Sequence, residues 1–312
     1  MFQKKSEVFR GENVTVITGL GSLDLADTLE CGQAFRYEPL VKETDYNEYI
    51  TVAYGRLIRV GQRQIGELIF FGEWSEEYEK TVVKYFALDT DYEKIRGDIL
   101  SHTDSEWLKS AAECAKGIRI LAQEPWEALF SFIISQNNNI PRIRKIIRSI
   151  CAEYGENLAE GKLSECPLPD KSCIPGCDEC KKCGICYSFP TAEQILDYPE
   201  GLLPSKPGFR YKYLTDAAEM VAFGQISLAE IALTGKYEYT VEELKKILGV
   251  GDKVASCVAL FGFGNLEAFP IDVWMKRAID EYFDGKLDPT TLGAYAGVAQ
   301  QYIFHYIRNL NG

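Results

Sequence analysis

The stretch that decides the fold is LKKILGVGDKVASCVALFGFGNLEAFPIDVWMKRA, residues 244–278. It predicts a short helix, a tight turn, a second apolar helix that opens at Asp252 and a third helix that opens at Asp272. Gly249 and Gly251 allow the turn to adopt positive φ and leave its backbone without side chains. The N–H groups of the turn and of the next helix's first turn can then bind a phosphate directly. The predicted phosphate clamp consists of Gly249, Val250 and Gly251.

Two residues beside this turn carry reactive groups. Lys253 lies in the first turn of the second helix, where the positive end of the helix dipole and partial burial disfavour the ammonium form. A neutral amine at that position is a nucleophile. Asp272 is expected to cap the third helix and to point a carboxylate into the same cleft. Taken alone, Lys253 fits a phosphate-binding lysine, and Asp272 fits a plain helix cap, as well as either fits a catalytic residue. The two residues together indicate a catalytic site.

The segment resembles the helix-hairpin-helix DNA glycosylases, in which a lysine follows a glycine-rich hairpin and an aspartate lies further along. The run GVGDKVASC followed by PIDV is similar to the 8-oxoguanine DNA glycosylase branch of that superfamily. The resemblance implies that Lys253 and Asp272 are the catalytic pair. Trp274 departs from the pattern, because some members have a histidine that contacts phosphate at this place.

Apolar and polar side chains alternate over residues 13–74, as in EYITVAY and RLIRV, and this alternation predicts an antiparallel sheet. The spacing becomes helical from Ser75, and we place the domain boundary near residue 118. The predicted fold class is α+β. Residues 1–118 form an N-terminal antiparallel sheet domain with flanking helices, and residues 119–312 form an all-α helix-hairpin-helix glycosylase domain.

Length and composition fit a two-domain globular protein. Of 312 residues, 46% are apolar and 26% are charged, and no apolar run approaches the length of a membrane helix. The N-terminus lacks the apolar core of a signal peptide, so we expect a cytoplasmic protein. A net charge of −12 argues against general affinity for DNA. Basic clusters that are either DNA contacts or solvated helix faces lie at residues 141–149, 205–213 and 245–253.

The resemblance assigns four residues to a base pocket. Gly32 lies in a GQAFR stretch, where the family's glycine carbonyl accepts a hydrogen bond from the N7–H that 8-oxoguanine has and guanine lacks. The same carbonyl repels the bare N7 of guanine, so one oxygen discriminates between the two bases. Gln300 is implied to bond the base edge, and Phe304 to stack on the base opposite Cys257. Without the resemblance, Phe304 is a core residue and Gln300 a surface residue.

Two further stretches are implied to hold the DNA at the lesion. Asn137 and Arg142 match an asparagine and an arginine that hold the orphaned cytosine, and their amide and guanidinium groups suit its edge. Phe209 and Arg210 match an aromatic wedge and an arginine, with Phe in place of the family's Tyr. On composition alone, the asparagines are helix caps and the aromatic loop is a helix anchor.

Six of the ten cysteines fall within residues 166–186, in an insertion that departs from the family pattern. In a cytoplasmic chain such crowding indicates metal thiolates rather than disulfides. Overlapping C-x-x-C pairs fit a structural zinc site, the run also resembles iron–sulfur ligation, and the absence of a metal stays a third alternative. The candidate ligands are Cys173, Cys177, Cys180, Cys183 and Cys186.

The resemblance implies a bifunctional DNA repair enzyme that excises 8-oxoguanine by base flipping and Schiff-base chemistry at Lys253, with AP lyase activity by β-elimination. Catalysis then needs no cofactor. The expected partner is double-stranded DNA with 8-oxoguanine opposite cytosine, no membrane is expected, and the expected state is a monomer. Two alternatives remain, a non-catalytic helix-hairpin-helix scaffold and a glycosylase for another oxidised base.

Overall fold

A computed structural model describes residues 2–159 and 184–310. Within these residues, the N-terminal part is a six-stranded antiparallel sheet in the order β1-β2-β6-β5-β4-β3. The strands are β1 Gln3–Phe9, β2 Glu12–Thr18, β3 Tyr37–Lys42, β4 Asn47–Ala53, β5 Arg56–Gln62 and β6 Glu67–Phe71.

The central strands follow from the alternation in the sequence. β4 and β5 pair along their whole length and are joined by Tyr54 and Gly55, whose φ angles are 52° and 65°. Two successive positive φ angles form the type of hairpin turn that matches the twist of the strands. One face of the sheet buries Tyr49 and Phe70 against Phe86, in a hydrophobic core of its own.

The remainder of the described chain is helical. The α-helices are α1 Leu25–Glu30, α2 Glu76–Tyr85, α3 Tyr92–Ser101, α4 Glu106–Cys114, α5 Pro125–Ser135, α6 Ile140–Tyr154, α7 Ala192–Asp197, α8 Tyr211–Ala222, α9 Leu228–Thr234, α10 Tyr237–Leu244, α11 Asp252–Phe263, α12 Val273–Tyr282 and α13 Ala296–Leu310. Short 3-10 turns cover Pro199–Ser205, Gly208–Arg210 and Pro289–Tyr295. The predicted α+β fold class is confirmed. No helix in the described ranges has both the length and the apolar character of a membrane span.

The helical core also includes helices that precede residue 118. Ile99 of α3 and Leu108 of α4 belong to the same buried cluster as Phe130, Leu260 and Ile303. These two helices therefore contribute to the core of the helical region, while the sheet has a separate core. The domain boundary near residue 118 stays a prediction.

A buried glutamine ties the segment after α1 to the helical region. The Gln33 side chain donates to the Arg119 carbonyl at 2.7 Å and accepts from the Leu121 N–H at 2.8 Å. The backbone carbonyl of Gln33 accepts a hydrogen bond from the Gln123 side chain at 2.8 Å. Because a buried amide with satisfied hydrogen bonds is strongly oriented, these contacts hold the neighbouring Gly32 against the helices.

Candidate active site

All six residues expected to act in catalysis and base binding line one small cavity of about 50 Å³. They are Lys253, Asp272, Gly32, Cys257, Gln300 and Phe304. The cavity holds a few water molecules at most, so a purine enters only if side chains move. The sequence reading missed four lining residues, which are Phe132, Phe261, Pro270 and Gln301.

Lys253 lies in the first turn of α11, and its amine lies over the aromatic ring of Phe132. Its Nζ is 5.4 Å from the ring centroid of Phe132, and that ring stacks on Phe261 with centroids 5.4 Å apart. Within the described part of the chain, no carboxylate forms an ion pair with Lys253. The amine is therefore not held away from the cavity by a fixed partner.

Cys257 lies one helical turn after Lys253 and lines the same cavity. Burial raises the pKa of the Cys257 thiol, and the nearby Lys253 opposes this rise only in part. The thiol is therefore protonated and neutral near pH 7. A neutral sulfur is a suitable apolar surface against which a base can stack.

Asp272 caps α12 as the sequence predicted. Its Oδ1 accepts a hydrogen bond from the Met275 N–H at 2.8 Å, and Asp272 also lines the cavity. A cap of this kind orients the carboxylate before any substrate binds, which is the property that electrostatic stabilisation of a transition state requires. Trp274 is partly exposed at the same end of the helix.

Gly32 borders the cavity at a place where only glycine fits without strain. Its φ is 91°, and an added Cβ would lie 3.4–3.5 Å from Ile140, Arg308 and Phe304. The left-handed backbone conformation disfavours other residues independently of these contacts. The structure thus places a backbone segment, rather than a side chain, beside Phe304.

The two glycines of the hairpin have different roles. Gly249 has a φ of 81°, and a Cβ there would lie 2.5 Å from the Tyr213 ring, so glycine is required by conformation and by packing. Gly251 has a φ of −100°, so Gly249 alone of the two hairpin glycines adopts the positive φ that glycine allows. A Cβ on Gly251 would meet no atom within 4 Å. Its contribution is a bare backbone that faces open space.

The hairpin is anchored to α8 by a hydrogen bond, whereas the N-terminal end of α11 has no side-chain cap. Asp216 accepts a hydrogen bond from the Leu248 N–H at 2.7 Å. No side chain caps α11 at Gly251, so the N–H groups of the first turn are available to an external acceptor. This arrangement is compatible with the anion-binding helix end that the sequence predicts, and phosphate binding at Gly249, Val250 and Gly251 stays a prediction.

Of the three asparagines between α5 and α6, two have side chains that bond the backbone and one does not. Asn138 donates to the Ile134 carbonyl at 3.1 Å, and Asn139 accepts from the Arg142 N–H at 3.0 Å. Asn137 is exposed, has a φ of 47°, and its side chain makes no hydrogen bond within the described residues. Arg142 is exposed in the first turn of α6. The side chains of Asn137 and Arg142 are therefore available to a ligand.

Phe209 and Arg210 differ sharply in exposure. Phe209 is 51% exposed and rests edge-on against Tyr213, with ring centroids 6.0 Å apart. Arg210 is buried, and its guanidinium donates to the carbonyls of Gln136 and Asn137, each at 2.9 Å. Arg210 thus positions the loop that carries Asn137, and its own contact with a cytosine stays a prediction.

The basic cluster on α6 serves two purposes. Arg144 and Arg148 are largely buried and both pair with Glu38 of β3, the former at 2.7 Å. Lys145 is exposed together with Arg142. Half of the cluster therefore joins the helical region to the sheet, and only the other half remains for DNA.

The cysteine insertion falls mostly outside the described residues. Cys173, Cys177, Cys180 and Cys183 are among the residues that are not described, so their prediction as metal ligands stays a prediction. Cys186 is described and is buried with Ile50 and Ile185. The described ranges contain no group of His, Cys, Asp and Glu residues suited to a metal ion.

A glycine-rich hairpin beside a lysine and an aspartate, on a helical region joined to an antiparallel sheet, defines the helix-hairpin-helix class of DNA glycosylases. Residues 15–129 match the family described as 8-oxoguanine DNA glycosylase, N-terminal domain. The N-glycosylase/DNA lyase of Saccharomyces cerevisiae is 31% identical over 283 residues, which cover 82% of this chain and 67% of the yeast protein. The chain belongs to the 8-oxoguanine DNA glycosylase family.

Two further comparisons extend over most of the chain. The N-glycosylase/DNA lyase OGG1 of Arabidopsis thaliana is 25% identical over 305 residues, covering 90% of this chain and 76% of the plant protein. The structure of Clostridium acetobutylicum 8-oxoguanine glycosylase/lyase is 30% identical and superimposes with a TM-score of 0.79. That match covers 100% of this chain and 99% of the clostridial one, so the likeness includes the sheet and the helical region.

Proposed function

We propose that this protein excises 8-oxoguanine from duplex DNA and then cleaves the strand at the resulting abasic site. The observation that carries the proposal is that Lys253 and Asp272 line one cavity together with Gly32 and Phe304. A DNA-binding scaffold needs the hairpin but has no use for an amine and a carboxylate in a cavity behind it. The names of the yeast and plant relatives, which are N-glycosylase/DNA lyases, support the same activity.

The substrate enters the pocket as an extruded nucleotide. Because the cavity is smaller than a purine, the base displaces water and shifts the partly buried Phe304 ring, which then stacks on it. The Gly32 carbonyl accepts the N7–H of 8-oxoguanine. Guanine has an acceptor at N7 and is rejected at this point, because two facing acceptors cannot pair.

The first chemical step replaces the glycosidic bond with a bond to the enzyme. The Lys253 amine attacks C1′ of the sugar through its nitrogen lone pair, the bond from C1′ to N9 breaks, and the base leaves with the electron pair and then takes up a proton. Positive charge develops on the sugar as this bond stretches. The Asp272 carboxylate, already oriented by the Met275 N–H, stabilises that charge.

The second step cleaves the strand. The sugar ring opens, and Lys253 and C1′ form a protonated Schiff base, which acidifies the C2′ proton. Removal of this proton forms a C2′–C3′ double bond and expels the 3′ phosphate, and water then hydrolyses the Schiff base to regenerate the amine. These two reaction steps need no cofactor, because the chain supplies the nucleophile and no net oxidation occurs.

The DNA backbone and the orphaned cytosine are held outside the pocket. Bare N–H groups at Gly251 and the start of α11 receive a phosphate, and Phe209 fills the gap that the extruded base leaves. The exposed side chains of Asn137 and Arg142 bond the cytosine edge. The clostridial relative is described in complex with double-stranded DNA containing cytosine opposite 8-oxoguanine, which supports cytosine as the preferred opposite base.

The test is an excision assay on duplexes that carry 8-oxoguanine opposite each of the four normal bases. We expect base release and strand cleavage, fastest opposite cytosine. Tight binding without release of any damaged base identifies a scaffold. Release of an oxidised pyrimidine but not of 8-oxoguanine identifies a glycosylase for another base.

The cysteine insertion is proposed to bind one structural zinc ion, with an iron–sulfur cluster as the alternative. The proposal rests on the spacing of the cysteines alone. Elemental analysis of the purified full chain distinguishes the cases: one zinc per chain supports the first, iron with inorganic sulfide supports the second, and neither metal rejects both. The monomeric state and the cytoplasmic location also stay predictions.

A further inference from the structure

Gln301 is a buried side chain in the pocket to which no role has been assigned. It is 4% exposed and lines the same cavity as Lys253 and Asp272. Its Nε2 donates to Oε1 of Gln300 at 2.7 Å. Its own Oε1 is buried and has no hydrogen-bond partner within the described residues.

An unpaired buried carbonyl oxygen indicates a missing donor. Folded proteins satisfy nearly all such oxygens, and those left unpaired are frequently found where a ligand binds. The orientation of this amide is set by its neighbour, because reversing Gln301 alone would place two oxygens face to face. The Oε1 of Gln301 is therefore a buried, unpaired acceptor on a residue that lines the pocket.

The edge of 8-oxoguanine offers two kinds of donor and one acceptor. The N1–H and the exocyclic 2-amino group donate, and O6 accepts. The Gln300 amide pairs with two of these groups, accepting from N1–H and donating to O6. Its oxygen already receives the Gln301 amide, so the 2-amino group is the donor left without a partner.

We propose that Gln301 Oε1 accepts a hydrogen bond from the 2-amino group of the extruded base, so that two adjacent glutamines read its edge. This inference rests on the proposed function. Gln301 is then a specificity-determining residue, because a site that holds a fixed acceptor rejects a base that lacks the matching donor. Gly32 distinguishes damaged from undamaged guanine, and Gln301 distinguishes guanine-type from hypoxanthine-type bases.

The test compares duplexes that contain 8-oxoguanine or 8-oxohypoxanthine opposite cytosine. The two bases share the N7–H, O6 and N1–H and differ only in the 2-amino group. Single-turnover rates and kcat/KM are measured for the wild type, for Gln301→Met, which has a similar volume and no acceptor of comparable strength, and for Gln300→Met. The measured quantity is the preference for 8-oxoguanine over 8-oxohypoxanthine in each variant relative to the wild type, so differences in duplex stability cancel.

We expect Gln301→Met to reduce this preference by about tenfold, which corresponds to about 1.4 kcal/mol. Gln300→Met is expected to slow excision of both bases and to leave the preference within about twofold of the wild type, because its contacts are common to both. An unchanged preference in Gln301→Met, with or without slower excision of both bases, overturns the role of Gln301. If Gln301→Met does not fold, Gln301→Leu replaces it, and its preference for 8-oxoguanine over 8-oxohypoxanthine is interpreted in the same way.

The outcomes also separate the two proposals. A wild type that excises neither base contradicts the proposed function itself. A wild type that excises 8-oxoguanine, with variants that keep the same preference, contradicts only the inference about Gln301.

Discussion

The base pocket and the outer DNA-facing surface are built in opposite ways. The base pocket comprises Gly32, Lys253, Cys257, Asp272, Gln300, Gln301 and Phe304, which come from distant parts of the chain and are buried or partly buried. The outer DNA-facing surface comprises Asn137, Arg142, Phe209, Gly249 and Gly251, which belong to short local motifs and are mostly exposed. The difference separates catalysis from DNA binding. A substitution in the base pocket is expected to affect the reaction, whereas a substitution on the outer DNA-facing surface is expected to affect affinity for DNA.

Within the outer DNA-facing surface, α8 joins the wedge at Phe209 to the hairpin. Tyr213 at the start of α8 supports Phe209 with its ring and lies directly under Gly249. One turn later, Asp216 holds the Leu248 N–H. The wedge and the hairpin are therefore expected to keep their relative positions when DNA binds.

The largest effect is expected from Lys253→Gln, which removes the nucleophile but keeps most of the side-chain volume. Excision should fall by roughly 10⁴-fold or more, while binding to damaged DNA should stay within a few fold of the wild type. The measurements are single-turnover base release, borohydride trapping of the covalent intermediate, and a binding titration. Lys245→Gln is the matched control, because Lys245 is an exposed residue paired with Asp252 and should be needed for none of the chemistry. Trapping that survives in Lys253→Gln would remove this amine from the mechanism.

A smaller loss is expected from Asp272→Asn, which removes the charge and keeps a capping oxygen. Excision should slow by roughly 10² to 10³-fold, because one electrostatic contact to the transition state is lost. The free energy of unfolding should change by less than about 1 kcal/mol, since asparagine caps helices as well as aspartate does.

Asp91→Asn provides the control for the Asp272 variant. Asp91 caps α3 by accepting from the Lys94 N–H at 3.0 Å, and it does not line the base pocket. Its substitution should have the same small effect on thermal unfolding and none on base release. Equal rates in the two variants would show that the charge of Asp272 is not used.

The hairpin glycines test the outer surface with a matched pair of substitutions. Gly249→Ala should lower the free energy of unfolding by about 2 to 4 kcal/mol, because it combines a positive φ with a clash against Tyr213. Gly251→Ala should leave the fold unchanged and weaken DNA binding by about tenfold, because its Cβ points into the space that a phosphate takes. Chemical denaturation and a binding titration measure the two effects. Wild-type affinity in a folded Gly251→Ala protein would place the phosphate elsewhere.

The smallest effect is expected from Phe209→Ala. The loss of one stacking contact should weaken binding to damaged duplex by about 1 kcal/mol, with little change in stability because the ring is half exposed. Phe223→Ala is the control, since Phe223 is 65% exposed at the other end of α8. Similar affinities for the two variants would contradict a wedge at Phe209.

Much of the fold and part of the candidate site were predictable because their signals are local. Alternation of side chains predicted the antiparallel sheet, and the spacing around the hairpin predicted helices that begin at Asp252 and after Asp272. Capping and periodicity depend on residues a few positions apart, so a sequence displays them directly. Which of the two hairpin glycines adopts a positive φ was not predictable, because a glycine permits a left-handed conformation without requiring it; the structure has it at Gly249.

The sequence by itself determined that a lysine and an aspartate flank a glycine-rich hairpin, because their separation along the chain is the signal. Only the tertiary structure decided that Gln301 and Phe132 join them in one cavity, and that Arg210 is occupied with backbone carbonyls. Contacts between distant segments result from the packing of whole helices and strands, and residue spacing carries no record of that packing. The unpaired oxygen of Gln301 is a property of this kind, since its burial depends on the segments that pack around α13.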